Sequence, residues 1–317
     1  MKNHLEEQEI ALLTQIINSE NITPYHNSAL QSILVQKSNV LSHEDINLLA
    51  DTCRDIALAI EWQDVDRAFQ LISLALSFRP SGPVLQKKHA EYQTLLNIAA
   101  AGETHCNGIR LTFGENLPSP LLRALASGSY EQHEAKLLMK FINSDDRVLE
   151  LGAGIGYMGT LAMTYCKPAS YTAYEANPAL LPLINNNMKI NGVAFTAINA
   201  LLTAHATSCD FYVTPAFWAS SLIAPASGSY EKVSVPAHNK HEVIENIKPT
   251  ALVIDIEGGE AEFFQGLNLS GVKKIIMEIH PAVLDDGVLS DIYSKLLNEG
   301  FKLDFSASSK VVVYWYR

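Results

Sequence analysis

Two periodicities divide this chain. Over the first hundred residues apolar side chains recur every three to four positions, in 8–18, 47–60, 65–78 and 84–98. That spacing keeps one face of a helix apolar. No convincing strand pattern lies between these segments. Ser42, followed by His43-Glu44-Asp45, predicts a helix start with a capping hydroxyl and acids in the first turn. Residues 101–129 carry Gly102, Gly108, Gly114, Pro118 and Pro120 and read as a connector. An amphipathic helix follows over 130–142. From there short apolar runs at 147–151, 170–175, 194–198, 251–256, 273–279, 301–306 and 310–316 alternate with helical segments. Such alternation predicts an α/β fold, a mostly parallel seven-stranded sheet covered by helices. The last two runs are joined by only a few polar residues, which forces an antiparallel hairpin, because a parallel crossover needs a dozen or more. The chain therefore divides into an α-helical module, 1–100, and an α/β domain, 101–317.

Within the helical module, Ala68, Ile72, Ala75 and Pro80 keep the offsets of the second helix of a tetratricopeptide-like repeat. Small residues there let two helices approach closely, and the proline stops the second. The helix around 50–60 lacks the Trp and Gly-Tyr positions of that repeat, so an unrelated helical cap stays open. The module offers a surface for a protein partner or for self-association.

Composition narrows the class. Hydrophobic residues make up 48% and charged residues 18% of the 317, as in soluble globular proteins. A net charge of −11 argues against nucleic acid or an anionic membrane as partner, since both select a basic face. The first residues, Met-Lys-Asn-His-Leu-Glu-Glu-Gln-Glu, do not read as a signal peptide, and no run approaches the ~18 apolar residues of a membrane helix. Cys53, Cys106, Cys166 and Cys209 lie far apart without zinc-ligand spacing. Reduced thiols in a cytoplasmic protein are the expectation.

Residues 147–156 read Arg-Val-Leu-Glu-Leu-Gly-Ala-Gly-Ile-Gly, and nineteen positions after Gly156 stands Glu175. A strand, a glycine turn and an acid ending the next strand suit an adenosine-bearing cofactor, with the acid on the ribose hydroxyls. Gly152, Gly154 and Gly156 give G-x-G-x-G, while Gly154, Gly156 and Gly159 give G-x-G-x-x-G; either pattern alone is weak. Glu150, two residues before Gly152, would repel a pyrophosphate but attract a cationic sulfonium and its amino group. Asp255-Ile-Glu-Gly-Gly-Glu260 ends the fourth strand, beside the cofactor's reactive end. The terminal hairpin, common in methyltransferases and rare in dehydrogenases, points the same way. S-adenosyl-L-methionine is the expected cofactor; the rival is a nicotinamide nucleotide in an oxidoreductase.

Tyr130-Glu131, Leu149-Glu-Leu-Gly-Ala-Gly-Ile-Gly-Tyr157, Tyr174-Glu-Ala-Asn-Pro178, Asn191-Gly192, Ile254-Asp-Ile-Glu-Gly-Gly-Glu260 and Met277-Glu-Ile-His280 together resemble the FkbM-type family of S-adenosylmethionine-dependent methyltransferases. The resemblance runs from about 130 to 280 and leaves residues 1–100 aside. It implies a Rossmann-like class I methyltransferase fold and methyl transfer to a hydroxyl of a small-molecule, sugar or secondary-metabolite acceptor. Two departures stand out: Glu150 where the family more often has Asp, and Val235-Pro-Ala-His-Asn-Lys-His241 where Leu-Asp is usual.

Glu150, Gly152, Ala153, Gly154, Gly156, Glu175, Ala176, Asn199 and Asp255 are the expected cofactor-binding residues. Glu150 faces the methionine amino group in this reading or caps the next helix; Asn199 touches the adenine edge or is a turn asparagine. Asp255, Glu257 and His280 are the catalytic candidates, with His280 or Glu257 as base and Asp255 assisting. Asp255 and Glu257 are two apart on one strand end, and Glu278 and His280 repeat that spacing on the next. Crowded carboxylates raise one another's pKa values, which makes a base useful at neutral pH. The same four groups could instead ligate a divalent cation, or Glu257 and Glu260 could simply decorate a helix start. His238 and His241 read as surface histidines, and Phe217-Trp218-Ala-Ser-Ser221 as either an acceptor-stacking pair or core. An interaction protein carrying an inert methyltransferase fold is the further alternative.

Overall fold

The computed structural model describes residues 7–17, 23, 26, 28, 30, 42–115, 117–204, 207–214 and 230–317. It divides into two compact units, Met1–Ala101 with Asn116–Ala126, and Gly102–Glu115 with Ser127–Arg317.

The first unit is helical, with helices Glu7–Ile17, His43–Ile60, Val65–Phe78, Pro83–Ala101 and Ser119–Ser127. Ser42 caps the second of these in a reciprocal box with Asp45, and Asp64 caps the third, satisfying backbone donors that the first turn cannot. Ala57, Ala68 and Ala75 are fully buried, small enough to let the paired helices close on each other, while Leu49, Ile56 and Ile72 fill the remaining core.

The second unit opens with a hairpin, β1 (Glu103–Cys106) and β2 (Ile109–Thr112). The expectation of a bare connector over 101–129 is corrected here. Ile109 and Leu111 are buried and Arg110 between them is exposed, a two-residue period too short to read among so many turn residues.

The main sheet is built from β3 (Arg147–Leu151), β4 (Ser170–Glu175), β5 (Thr196–Asn199), β9 (Ala251–Ile254), β10 (Lys274–Glu278), β11 (Lys302–Leu303) and β12 (Val312–Tyr316), in the order β11-β12-β10-β9-β3-β4-β5. All neighbours are parallel except β12, which runs antiparallel to β10 and β11. This is the expected Rossmann-like seven-stranded sheet with its terminal hairpin. Every residue of Ala251–Ile254 is buried, as a central strand covered on both faces requires.

A second sheet, β6 (Leu201–Thr203), β7 (Ser208–Val213) and β8 (Glu231–Asn239) in the order β6-β8-β7, stands between the runs 194–198 and 251–256, where the sequence predicted no strand. Val235 and Ala237 are buried and Ser234, Pro236 and His238 exposed, a clean alternation masked in the sequence by Pro236, which normally demotes a strand. Phe217-Trp218-Ala-Ser-Ser221 lies outside the described residues. Among the described residues no helix is long and apolar enough to cross a membrane.

The chain leaves β3 toward β4 on one side and leaves β9 toward β10 on the other. Adjacent strands whose connections diverge open a crevice beyond their C-terminal ends. Every candidate except Glu150 ends a strand of the main sheet or follows one, at the C-terminal edge that bounds this crevice.

Candidate active site

The loops leaving β3 and β9 meet at the crevice floor. The Asp255 amide donates to the Leu151 carbonyl at 2.9 Å. Gly152 has φ +83°, and a Cβ built there would lie 1.7 Å from the Asp255 carbonyl oxygen. No side chain fits that contact, so the first glycine is required by close approach as well as by its dihedral. The Gly152 and Ala153 amides both donate to the Tyr174 carbonyl, at 2.9 and 3.2 Å, which fastens the glycine turn to β4. Gly156 lies against Ile184, and Ala153 is buried; these two shape the turn from behind.

Glu175 ends β4. Its Oε2 accepts from the Gly154 amide at 2.8 Å and its Oε1 from the Asn177 amide at 2.7 Å. Burial pushes its carboxyl up to about 7, with those backbone donors opposing. Asn199 donates its side-chain amide to the carbonyls of Glu175 and Ala176, at 2.8 and 2.9 Å. It ties β5 to the turn after β4.

These elements line a partly open pocket. Gly152, Gly154, Glu175, Ala176, Asp255 and Glu257 all line it, and Leu180, Ala200, Leu201 and Phe211 give it an apolar wall. Five expected residues are not in its lining: Asn199, Ala153, Gly156, Glu150 and His280. Glu150 alternates on β3 with Leu149 and Leu151, which belong to the sheet core on the opposite face. It is 1% exposed, its Oε2 has no hydrogen-bond partner, and burial pushes it up to about 8, with the Tyr171 hydroxyl opposing. Tyr130 and Glu131, by contrast, do line the cavity. Sequence reasoning counted them as family residues and assigned them no role; the signal available was an acid directly before a helix.

The far wall carries the ionisable cluster. His280 Nδ1 lies 2.8 Å from Glu260 Oε1, and its Nε2 lies 3.4 Å from both Asp255 Oδ1 and Glu257 Oε2. Glu260 is fully buried. Burial opposes charging His280, but Glu260, Glu257 and Asp255 outweigh it and raise the imidazole to about 9. Burial also raises Asp255 well above the usual carboxylate range, with Glu278 adding to it and His280 opposing. Glu257 is raised by burial against the same opposition, and it sits at φ +51°, a left-handed backbone that costs about 1–3 kcal/mol and recurs at functional sites. Glu278 is pushed up to about 7 by burial and by Glu134. Asp255, Glu278 and His280 bring one donor atom each to within 4.8 Å of one another. His238 and His241 are exposed.

A glycine cradle, an apolar wall and uncompensated carboxylates suit a ligand that is part adenosine and part cation. Residues 150–303 match the family model described as the methyltransferase FkbM domain. No curated protein matches the chain. Among solved structures, a methyltransferase from Pyrococcus furiosus is similar at 13% identity, over 72% of this chain and 97% of that one, with a TM-score of 0.38. The precorrin-6y C5,15-methyltransferase of Geobacter metallireducens is similar at 13% identity over 58% and 85%, with a TM-score of 0.34. The M. jannaschii protein TYW2, in complex with AdoMet, is similar at 14% identity over 68% and 83%, also with 0.34. The fold assignment rests on the strand order itself.

Proposed function

We propose that this chain, whose residues 150–303 match the methyltransferase FkbM domain model, uses S-adenosylmethionine to methylate a hydroxyl oxygen of an uncharged small molecule, a sugar or a glycosylated metabolite. When bound, the cofactor supplies a methyl group on a positively charged sulfur. Gly152, Gly154, Glu175 and Ala176 would hold it, with Leu180, Ala200, Leu201 and Phe211 covering its apolar surface.

The observation that carries the oxygen assignment is that Asp255 and Glu257 share the cavity with the glycine turn while His280 stands behind them. An alcohol has a high pKa and must lose its proton as it attacks, so it gains from a nearby base. An imidazole raised to about 9 is protonated at neutral pH and cannot take that proton. Glu257 is therefore the base in this reading. Asp255 orients the hydroxyl, and His280 is a positioning residue whose charge holds both carboxylates in place. The carboxylate-lined wall disfavours phosphorylated or carboxylated acceptors through like-charge repulsion.

The test is to incubate the protein with methyl-labelled S-adenosylmethionine and matched polyols and amines. A labelled methyl ether supports the reading. A product labelled only on nitrogen would overturn the oxygen assignment, and no transfer to any acceptor would favour the inert interaction fold.

A further inference from the structure

Glu131 is a cavity carboxylate that the chain meets with the Tyr130 hydroxyl and no cation. It occupies the N-cap of the helix Gln132–Phe141, yet makes no side-chain hydrogen bond to that helix. Its backbone is left-handed, φ +45° and ψ +36°, a conformation that non-glycine residues adopt at a cost and that marks functional positions. The residue lines the cavity together with Tyr130. It stands directly across from the middle glycine of the turn. A Cβ built on Gly154 would lie 3.3 Å from the Tyr130 hydroxyl and 3.9 Å from Glu131 Oε1. Tyr130 is itself buried and packs on Tyr157, ring centroids 5.7 Å apart, so the pair is rigidly presented.

The charges around Glu131 are of its own sign. Burial raises its carboxyl well above the usual range, the Tyr130 hydroxyl opposes, and Asp255, Glu134 and Glu150 each raise it further. A buried carboxyl among carboxylates is driven toward its neutral form and ionises beside a cation. An ammonium offers three N–H donors to a carboxylate, whereas a sulfonium offers none.

Resting on the cofactor reading above, we infer that Glu131, rather than Glu150, receives the α-ammonium of the cofactor's methionyl half. Glu131 reaches the cavity beside Gly154, and Glu150 points to the other side of its strand. Glu175, held by the Gly154 and Asn177 amides, is left to the ribose hydroxyls.

Calorimetric titration tests this with two ligands that differ only in the part at issue. S-adenosylhomocysteine carries the ammonium; 5′-methylthioadenosine lacks the whole amino-acid end. Glu131→Gln is expected to weaken S-adenosylhomocysteine by about 10- to 100-fold, the scale of a charged hydrogen bond, and to leave methylthioadenosine within about twofold. Glu150→Gln is expected to change neither. Glu131→Asn, whose side chain tolerates the left-handed backbone, repeats the measurement should the glutamine variant fold poorly. Equal loss of both ligands in the Glu131 variants, no loss of either, or a selective loss in Glu150→Gln instead, would each overturn the assignment. A wild-type protein that binds neither ligand would overturn the cofactor reading itself, a different and recognisable failure.

Discussion

The two units treat buried charge in opposite ways. In the helical unit Glu61 Oε2 receives Lys88 Nζ at 2.7 Å and the Tyr92 hydroxyl at 2.6 Å, and Arg123 bridges it to Glu91. Two acids meet two cations. Burial opposes ionisation of Glu91, but Arg123 and Lys88 hold it below its ordinary value. In the α/β unit Glu131, Glu150, Glu175, Asp255, Glu257 and Glu278 are all shifted upward, with burial the leading cause at each. Only Asp255, Glu257 and Glu278 of these are eased by His280. A network satisfied within the chain serves the fold. One left unsatisfied within the chain is poised for a ligand.

The sharpest break of that comparison is Glu257→Gln. It keeps the side chain's size and removes its basicity, so turnover should fall about 10²- to 10⁴-fold while S-adenosylhomocysteine affinity, measured by calorimetry, stays within about twofold. Loss of binding in parallel with turnover would make Glu257 a structural acid like Glu61.

Arg123→Ala strikes the paired network instead. It leaves two acids to Lys88 and removes the guanidinium stacked 4.9 Å over Trp62. The expected loss is about 1–3 kcal/mol, read as a fall of roughly 5–10 °C in a thermal unfolding midpoint. Cofactor affinity should not move, since the cavity is lined wholly by the other unit.

Stability of the ligand-free protein should fall as pH rises. Glu150, raised to about 8, favours folding fully below its unfolded value of 4.5, and that contribution is lost as pH passes through about 8. Glu175 and Glu278, raised to about 7, act with the same sign. His280, raised from 6.5 to about 9, stabilises below 6.5 and loses that contribution through about 9. Melting between pH 5 and 9 should show a declining midpoint, and Glu150→Gln should flatten the slope by a few degrees, about 2–4 °C per kcal/mol. An unchanged slope would mean that Glu150 is solvated in solution.

The smallest expected effect is none. Removal of divalent cations with a chelator should leave turnover unaltered, and a loss restored by added Mg²⁺ or Mn²⁺ would convert the Asp255, Glu278 and His280 cluster from ion pair to metal centre.

The sequence by itself determined what is local. Arg147–Leu151 and Ser170–Glu175 could be read to the residue because each is a short run of strand-forming side chains bounded by turn residues. The glycine turn, Glu175, and the Ser42 box are likewise set by chemistry within a few positions. Only the tertiary structure decided which acids face the cavity and which are merely buried. Glu150 and Glu131 are equally acidic in the sequence; the pleat of β3 turns one away, and a left-handed residue at a helix start brings the other in. The base was undecided between His280 and Glu257 for the same reason. What makes the imidazole a cation is Glu260, twenty positions away and fully buried, and burial is a property that neighbours in sequence do not confer.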